Sequence, residues 1–251
     1  MASATASLPT PSSACCGPLP QYGGTDAISI YHGLVLISAS APGTVFGSKP
    51  APQPTYPAVY RVTFHPAKHL ATVKALFYDE APAKVANVGS SLGKVVNLAL
   101  TDPDSNELVP ASAPRFAGDF MLTSQGDQEQ IFVSPHGKLG SHLAVLSLTH
   151  SVDDTAWARS PHGKLYVANT GGGTIDVITG PFRPGSVLVA VTPCDQNDAP
   201  ATCPALPNFP PNYLGTLNPW TGQITAVPYR GPTFGPQGMV FIGPGWSVVP
   251  G

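Results

Sequence analysis

The chain has 251 residues, 12 Lys and Arg against 14 Asp and Glu, and only 10% charged residues, well under the globular norm of about 25%. No basic cluster exceeds a pair and no apolar run reaches the roughly 18 residues of a spanning helix, which excludes nucleic acid as the main partner and a membrane span. With 30 Pro and 26 Gly, the composition suits many short strands joined by tight turns.

Residues 1–22 are rich in Ala, Ser and Pro and lack periodicity, so they read as a disordered leader. They lack the basic and apolar regions of a signal peptide. Cys15 and Cys16 stand side by side there, and adjacent cysteines seldom pair because the geometry is strained. Residues 23–251 read as one all-β domain. "AISIYHGLVLISAS" predicts two strands around His32-Gly33, and "AVYRVTFHPAKHLATVKALF" predicts two more around "HPAKH".

An internal repeat sets the architecture. "LYVANTGGGTIDVI" aligns without gaps on "FMLTSQGDQEQIFV", with Gly171 on Gly126 at an offset of 45 residues, the period of a four-stranded propeller blade. "LVLISAS" is a third copy of the first half, followed by a Pro/Gly-rich insertion. In a fourth, partial copy, "YLGTLNPWTGQITAV", Asn218 to Gly222 forms the turn between the two outer strands of a blade. "TDAISIYHG", "DDTAWARSPHG" and "PQGMVFIG" share a second register and predict innermost strands, with "GKVVNLALTD" assigned to the same slot in the remaining blade. The count is about three full blades and part of a fourth. A propeller closes on itself, so an incomplete ring is expected, with self-association through its two open faces.

"TDPDSNELVP" alternates Asp102, Asp104 and Asn106 as a calcium loop does, but Glu107 stands where such a loop needs Gly and Ala113 where it needs Glu. It reads as a long polar loop at the channel rim, with Asp104 and Asn106 as second-rank ligands. "SPHGKL" occurs twice, 26 residues apart, which is not the blade period. Ser-Pro-His-Gly is a turn by composition, so His136 and His162 are expected at non-equivalent junctions rather than in one site, and His32 takes the same reading. Asn169 reads as a turn former, the Gly171 to Gly173 run as a hairpin, Trp157 as core and Trp220 as a packing residue in an outer turn. Cys194 and Cys203 bracket the polar loop "DQNDAPAT". A loop-closing disulfide is the preferred reading and implies an oxidising compartment; two free thiols are the alternative.

Together "YGGTDAISIYHG", "LALTDPDSNELVPASAPRFAGDF", "SQGDQEQIFV", "VDDTAWA", "LYVANTGGGTIDVI" and "GPQGMVFI" resemble a family of uncharacterised, secreted bacterial proteins. More distantly they are similar to six-bladed propellers grouped with the SMP-30/gluconolactonase and NHL-repeat proteins. The resemblance implies six blades, an export signal and further N-terminal blades, from which this chain departs by its short leader. The distant relatives are metal-dependent lactonases, which implies a divalent metal held by carboxylate and amide oxygens at the channel mouth.

Asp26 and Asp154 occupy matching places at the start of inner strands, with Asp153 beside the second and Gln237 in the corresponding place at the C-terminus. A propeller gathers such positions at one end of its channel, where they could ligate Ca²⁺. The ordinary role of an Asp there, capping a turn or ordering backbone N–H groups, ranks ahead of ligand binding, and catalysis ranks last. Two functions follow: a non-catalytic extracytoplasmic propeller that binds a small molecule or protein at its channel mouth, or a metal-dependent hydrolase of the lactonase type using Asp26 and Asp154 with Asp153, Asp104 or Asn106.

Overall fold

Short apolar runs punctuated by Gly, Pro and Asn give the chain its strands, and a computed structural model describes residues 25–40, 56–87, 89–136, 138–192, 212–229 and 234–244. The leader, Cys194 and Cys203 lie outside these residues. The protein is an all-β propeller of four sheets.

In chain order, β1 (Thr25–Tyr31), β2 (Leu34–Ala39), β3 (Pro57–His65) and β4 (Leu70–Tyr78) form a meander. His32 and Gly33 join β1 to β2 with φ of 48° and 78°, the positive pair that a two-residue hairpin turn demands. A hairpin of β5 (Pro82–Val85) and β6 (Val95–Asn97) follows. Next come β7 (Pro103–Leu108), β8 (Phe120–Ser124), β9 (Glu129–Val133) and β10 (Leu143–Ser147), which form the second blade. β5 joins β10 in parallel, so the β5/β6 hairpin extends this blade at its outer edge.

β11 (Val152–Trp157) is the inner strand of the third blade, but the chain then leaves for the fourth sheet with β12 (Lys164–Asn169) and β13 (Thr174–Thr179). It returns as β14 (Val187–Val191), β15 (Tyr213–Leu217) and β16 (Ile224–Ala226), completing the third sheet. β17 (Pro236–Ile242) supplies the inner strand of the fourth, pairing with β12.

The repeated segments occupy equivalent places: β8 and β9, like β12 and β13, are the second and third strands outward from the channel. β2 takes the same second position, and the turn at Asn218 to Gly222 joins the outer strands β15 and β16. Strands β1, β11 and β17 are innermost, as their shared register predicts. Two expectations are corrected. The segment "GKVVNLALTD" does not supply an inner strand: Val95 and Val96 lie in β6, the outermost strand, and are 68% and 38% exposed. The inner strand of the second blade is β7, within the stretch expected to be a loop. Its sequence, PDSNEL, lacks alternating apolar residues because its side chains meet polar groups of neighbouring inner strands.

Packing between blades follows from alternation. In the second blade β8 and β9 are buried on both faces and so read as continuous apolar runs. Phe120, Leu122, Ile131 and Val133 meet Tyr31, Leu36, Val59 and Phe77 of the first blade, while Met121 and Phe132 meet Trp157, Val187 and Val189 of the third. Ala156 and Leu188 of the third blade pack on Leu165, Val167 and Phe241 of the fourth. Among the described residues no helix is long and apolar enough to cross a membrane.

Candidate functional site

The inner strands stand side by side, β1 against β7, β7 against β11, and β11 against β17. They line an open cavity of about 420 Å³. Every residue nominated from sequence as a ligand borders it: Asp26 from β1, Asp104 and Asn106 from β7, Asp153 and Asp154 from β11. Gln237 is on β17 next to Gly238, which lines the cavity. Among the described residues no Lys, Arg or His lines the cavity.

The carboxyl groups differ in their surroundings. Asp154 is bound to backbone: its Oδ1 accepts the Thr155 N–H at 2.7 Å and its Oδ2 accepts the Met239 N–H at 2.5 Å. Burial, opposed by these two N–H groups, pushes its carboxyl up to about 7, with a further push from the charges of Glu107 and Asp153. Asp104 is pushed up to about 10, first by burial, then by its hydrogen bond to Asp153 and that residue's charge, with smaller contributions from Asp26 and Asp102. Burial and the neighbouring Asp153 carboxyl thus favour the protonated form of Asp104.

Asn106 ties β7 to β1. Its Nδ2 donates to the Ala27 carbonyl at 3.0 Å and to Ser38 Oγ at 3.2 Å, while its buried Oδ1 has no partner among the described residues. Ser38, fully buried on β2, donates to the Asp104 carbonyl at 2.5 Å and accepts from the Ala27 N–H at 2.9 Å. Glu107 went unnoticed in the sequence, where it counted only as the residue that breaks a calcium motif. Its Oε2 accepts the Trp157 N–H at 3.1 Å and its Oε1 meets Arg159 at 2.9 Å, joining β7 to β11. Burial raises its carboxyl and the Arg159 guanidinium opposes the rise. Position gave the only clue: Glu107 follows Asn106 on the strand and points to the opposite neighbour.

A calcium cage requires six to eight oxygens converging on one ion, with its carboxylates ionised. Here both oxygens of Asp154 accept N–H groups and Asp26 lies exposed. Among the described residues no group of three or more His, Cys, Asp or Glu side chains is disposed to hold a metal ion. The residues converge on one cavity.

The other singled-out residues are not among those that line this cavity. His136 and His162 each donate a backbone N–H to the preceding serine, Ser134 Oγ and Ser160 Oγ, at 3.2 Å, and both are exposed. One junction links β9 to β10 within a blade and the other links β11 to β12 between blades, so His136 and His162 sit at non-equivalent places. Asn169 Oδ1 accepts the Gly172 and Gly235 N–H groups, and its Nδ2 donates to Asp176. Trp157 is fully buried, and Trp220, 57% exposed in its outer turn, lies beneath the Arg115 guanidinium.

No protein-family model matches the chain, and no curated protein matches it. Among solved structures it is similar to a protein from Bacteroides uniformis provisionally assigned as a 6-phosphogluconolactonase, with 11% identity and a TM-score of 0.35. The match covers 87% of this chain and 57% of that one, so the chain spans little more than half of its neighbour's length. At that TM-score the likeness says nothing of this chain's activity.

Proposed function

We propose that the protein is a non-catalytic, extracytoplasmic binding propeller whose channel takes a small ligand carrying positive charge or several hydrogen-bond donors. The observation that carries this reading is the acidic cavity, to which three inner strands bring carboxyl groups and, among the described residues, none that lines it brings a cation. Burial of unbalanced carboxyl groups is costly, and a cationic or donor-rich guest relieves that cost. The test is calorimetric titration with putrescine, with citrate as the anionic control. Heat with putrescine and none with citrate is expected; the reverse would overturn the reading. Placement outside the cytoplasm comes from the family resemblance, and fractionation of the source cells tests it.

The second reading is a metal-dependent hydrolase of the lactonase type. In its favour, Asp26, Asp104, Asn106, Asp153 and Asp154 all border one cavity. Against it stand the backbone bonds that occupy Asp154. A calcium-dependent rise in melting temperature, lost in Asp154→Ala, would favour it over the binding reading.

A further inference from the structure

The first and fourth sheets each pack one face on a neighbouring blade and carry exposed apolar residues on the other. On the first blade the register sets Ile28 beside Ile37 and Ile30 beside Val35, with Val35 continuing to Val62 and Val73 in the next strands. This face is apolar, and although Val62 at its centre is only 7% exposed, Ile28, Ile30 and Val73 around it are 68%, 70% and 57% exposed. On the fourth blade Val177 and Val240 flank Tyr166, and Ile175 lies beside Ala168; Ile175, Val177 and Val240 are 65%, 49% and 53% exposed. The opposite faces of both sheets form the between-blade cores already described. Each bare face therefore has the composition of half a blade–blade interface.

We propose that two copies of this chain pair head to tail, the bare face of the first blade of each packing on the bare face of the fourth blade of the other, to close one ring. Twice four blades makes eight, within the range in which propellers close. The two-fold arrangement satisfies both faces of both copies, since each contact is repeated by symmetry.

Area decides between one contact and two. The fourth sheet has three strands of six or seven residues, about 14 Å by 20 Å at ordinary strand spacing and rise, or roughly 300 Å² of face. One contact would bury about 600 Å² in total, the size of an incidental encounter, whereas two bury about 1,200 Å², the lower bound of a stable interface. Closure is also continuous with the existing packing. β1 and β17 both line the channel, so joining the first blade of one copy to the fourth of the other extends the row of inner strands and makes the channel common to both. Ile28 and Val240 also line the channel, so the two surfaces meet at its mouth, but the oligomeric state is read without any ligand.

The test is sedimentation velocity on the full chain. A dimer is expected. A monomer would overturn the proposal and give the bare faces to another occupant, and a ladder of larger polymers would overturn closure. Ile28→Asp/Ile30→Asp and Ile175→Asp/Val177→Asp place charge on one face each, at exposed positions, and circular dichroism checks that both variants fold. Each variant alone is expected to be monomeric, because every ring contact needs both faces. Mixed, they are expected to associate weakly through the one intact pair of faces. Loss of the dimer in the first variant with none in the second would instead mean that like faces pair, and would overturn the head-to-tail arrangement.

Discussion

Asp154 on β11 accepts the backbone N–H of Met239 on β17 at 2.5 Å, and this bond crosses from the third blade to the fourth. Two inner strands far apart in sequence are thereby held at the channel by one carboxylate, which also accepts its neighbour Thr155 N–H. Asp154→Ala leaves two N–H groups without acceptors in a half-buried place, at a cost of about 1–3 kcal/mol. Asp154→Asn keeps an acceptor oxygen and is expected to lose less. Urea unfolding checks both, and equal midpoints for wild type and Asp154→Ala would show that the bond does not hold the blades.

Asp104 governs the pH dependence. An acid whose folded value is raised keeps its proton longer in the folded state than in the unfolded chain, so stability falls as pH rises between the two values. For Asp154 the window runs from about 4, the unfolded value, to about 7; for Asp104 it runs from about 4 to about 10. Below about pH 4 both states are protonated and the penalty vanishes. Asp104→Asn supplies a neutral donor in place of the protonated acid and is expected to stabilise the protein at about pH 8 by roughly 1–2 kcal/mol, after allowance for a half-buried site screened by water. The gain is expected to shrink towards about pH 4, and a gain independent of pH would contradict the assignment.

Two glycines separate strain from collision. Gly33 and Gly222 have φ of 78° and 75°, a region that costs other L-residues about 1–2 kcal/mol. A Cβ on Gly33 would meet open space, whereas one on Gly222 would overlap the Ser147 carbonyl oxygen and crowd Asn87. Asn87 itself bridges the blades, donating from Nδ2 to the Ser147 and Thr221 carbonyls at 2.7 Å. Gly33→Ala is expected to cost about 1 kcal/mol, and Gly222→Ala about 3 kcal/mol or more because the turn must move off its neighbour. Similar midpoints for the two variants in denaturant would mean that the turn is free to shift.

The sequence made the hairpins legible because each is local: Gly126 and Gly171 mark the same turn between second and third strands, and alternation does the rest. It also led to the channel residues, since Asp26 and Asp154 begin strands that share a register and both reach the cavity. It failed at β7, where Asp104, Asn106 and Glu107 replace the apolar period with groups bonded across to β1 and β11. Nor did it disclose that β12 leaves β11 for a sheet completed by β17, because strand pairing between distant segments leaves no local pattern. Nor does residue type reveal that both oxygens of Asp154 accept backbone N–H groups.

The channel itself is tested by melting chelator-treated protein with putrescine, with Ca²⁺ and with neither. A ligand at about a hundred times its Kd adds roughly 2.7 kcal/mol to stability and raises the midpoint by several degrees. The acidic cavity predicts a rise with putrescine, weakened in Asp153→Asn, because that substitution removes a carboxylate from the lining. His136→Ala and His162→Ala are expected to leave the rise intact and the midpoint within about 0.5 kcal/mol of wild type, since both side chains are exposed at turns held by backbone and serine. A rise with Ca²⁺ alone that Asp154→Ala abolishes would give the cavity to a metal, since Asp154 would then have exchanged a backbone N–H for the ion. No rise with either ligand, in a protein that melts cooperatively, would remove the channel from function and leave the blade faces as the surface to pursue.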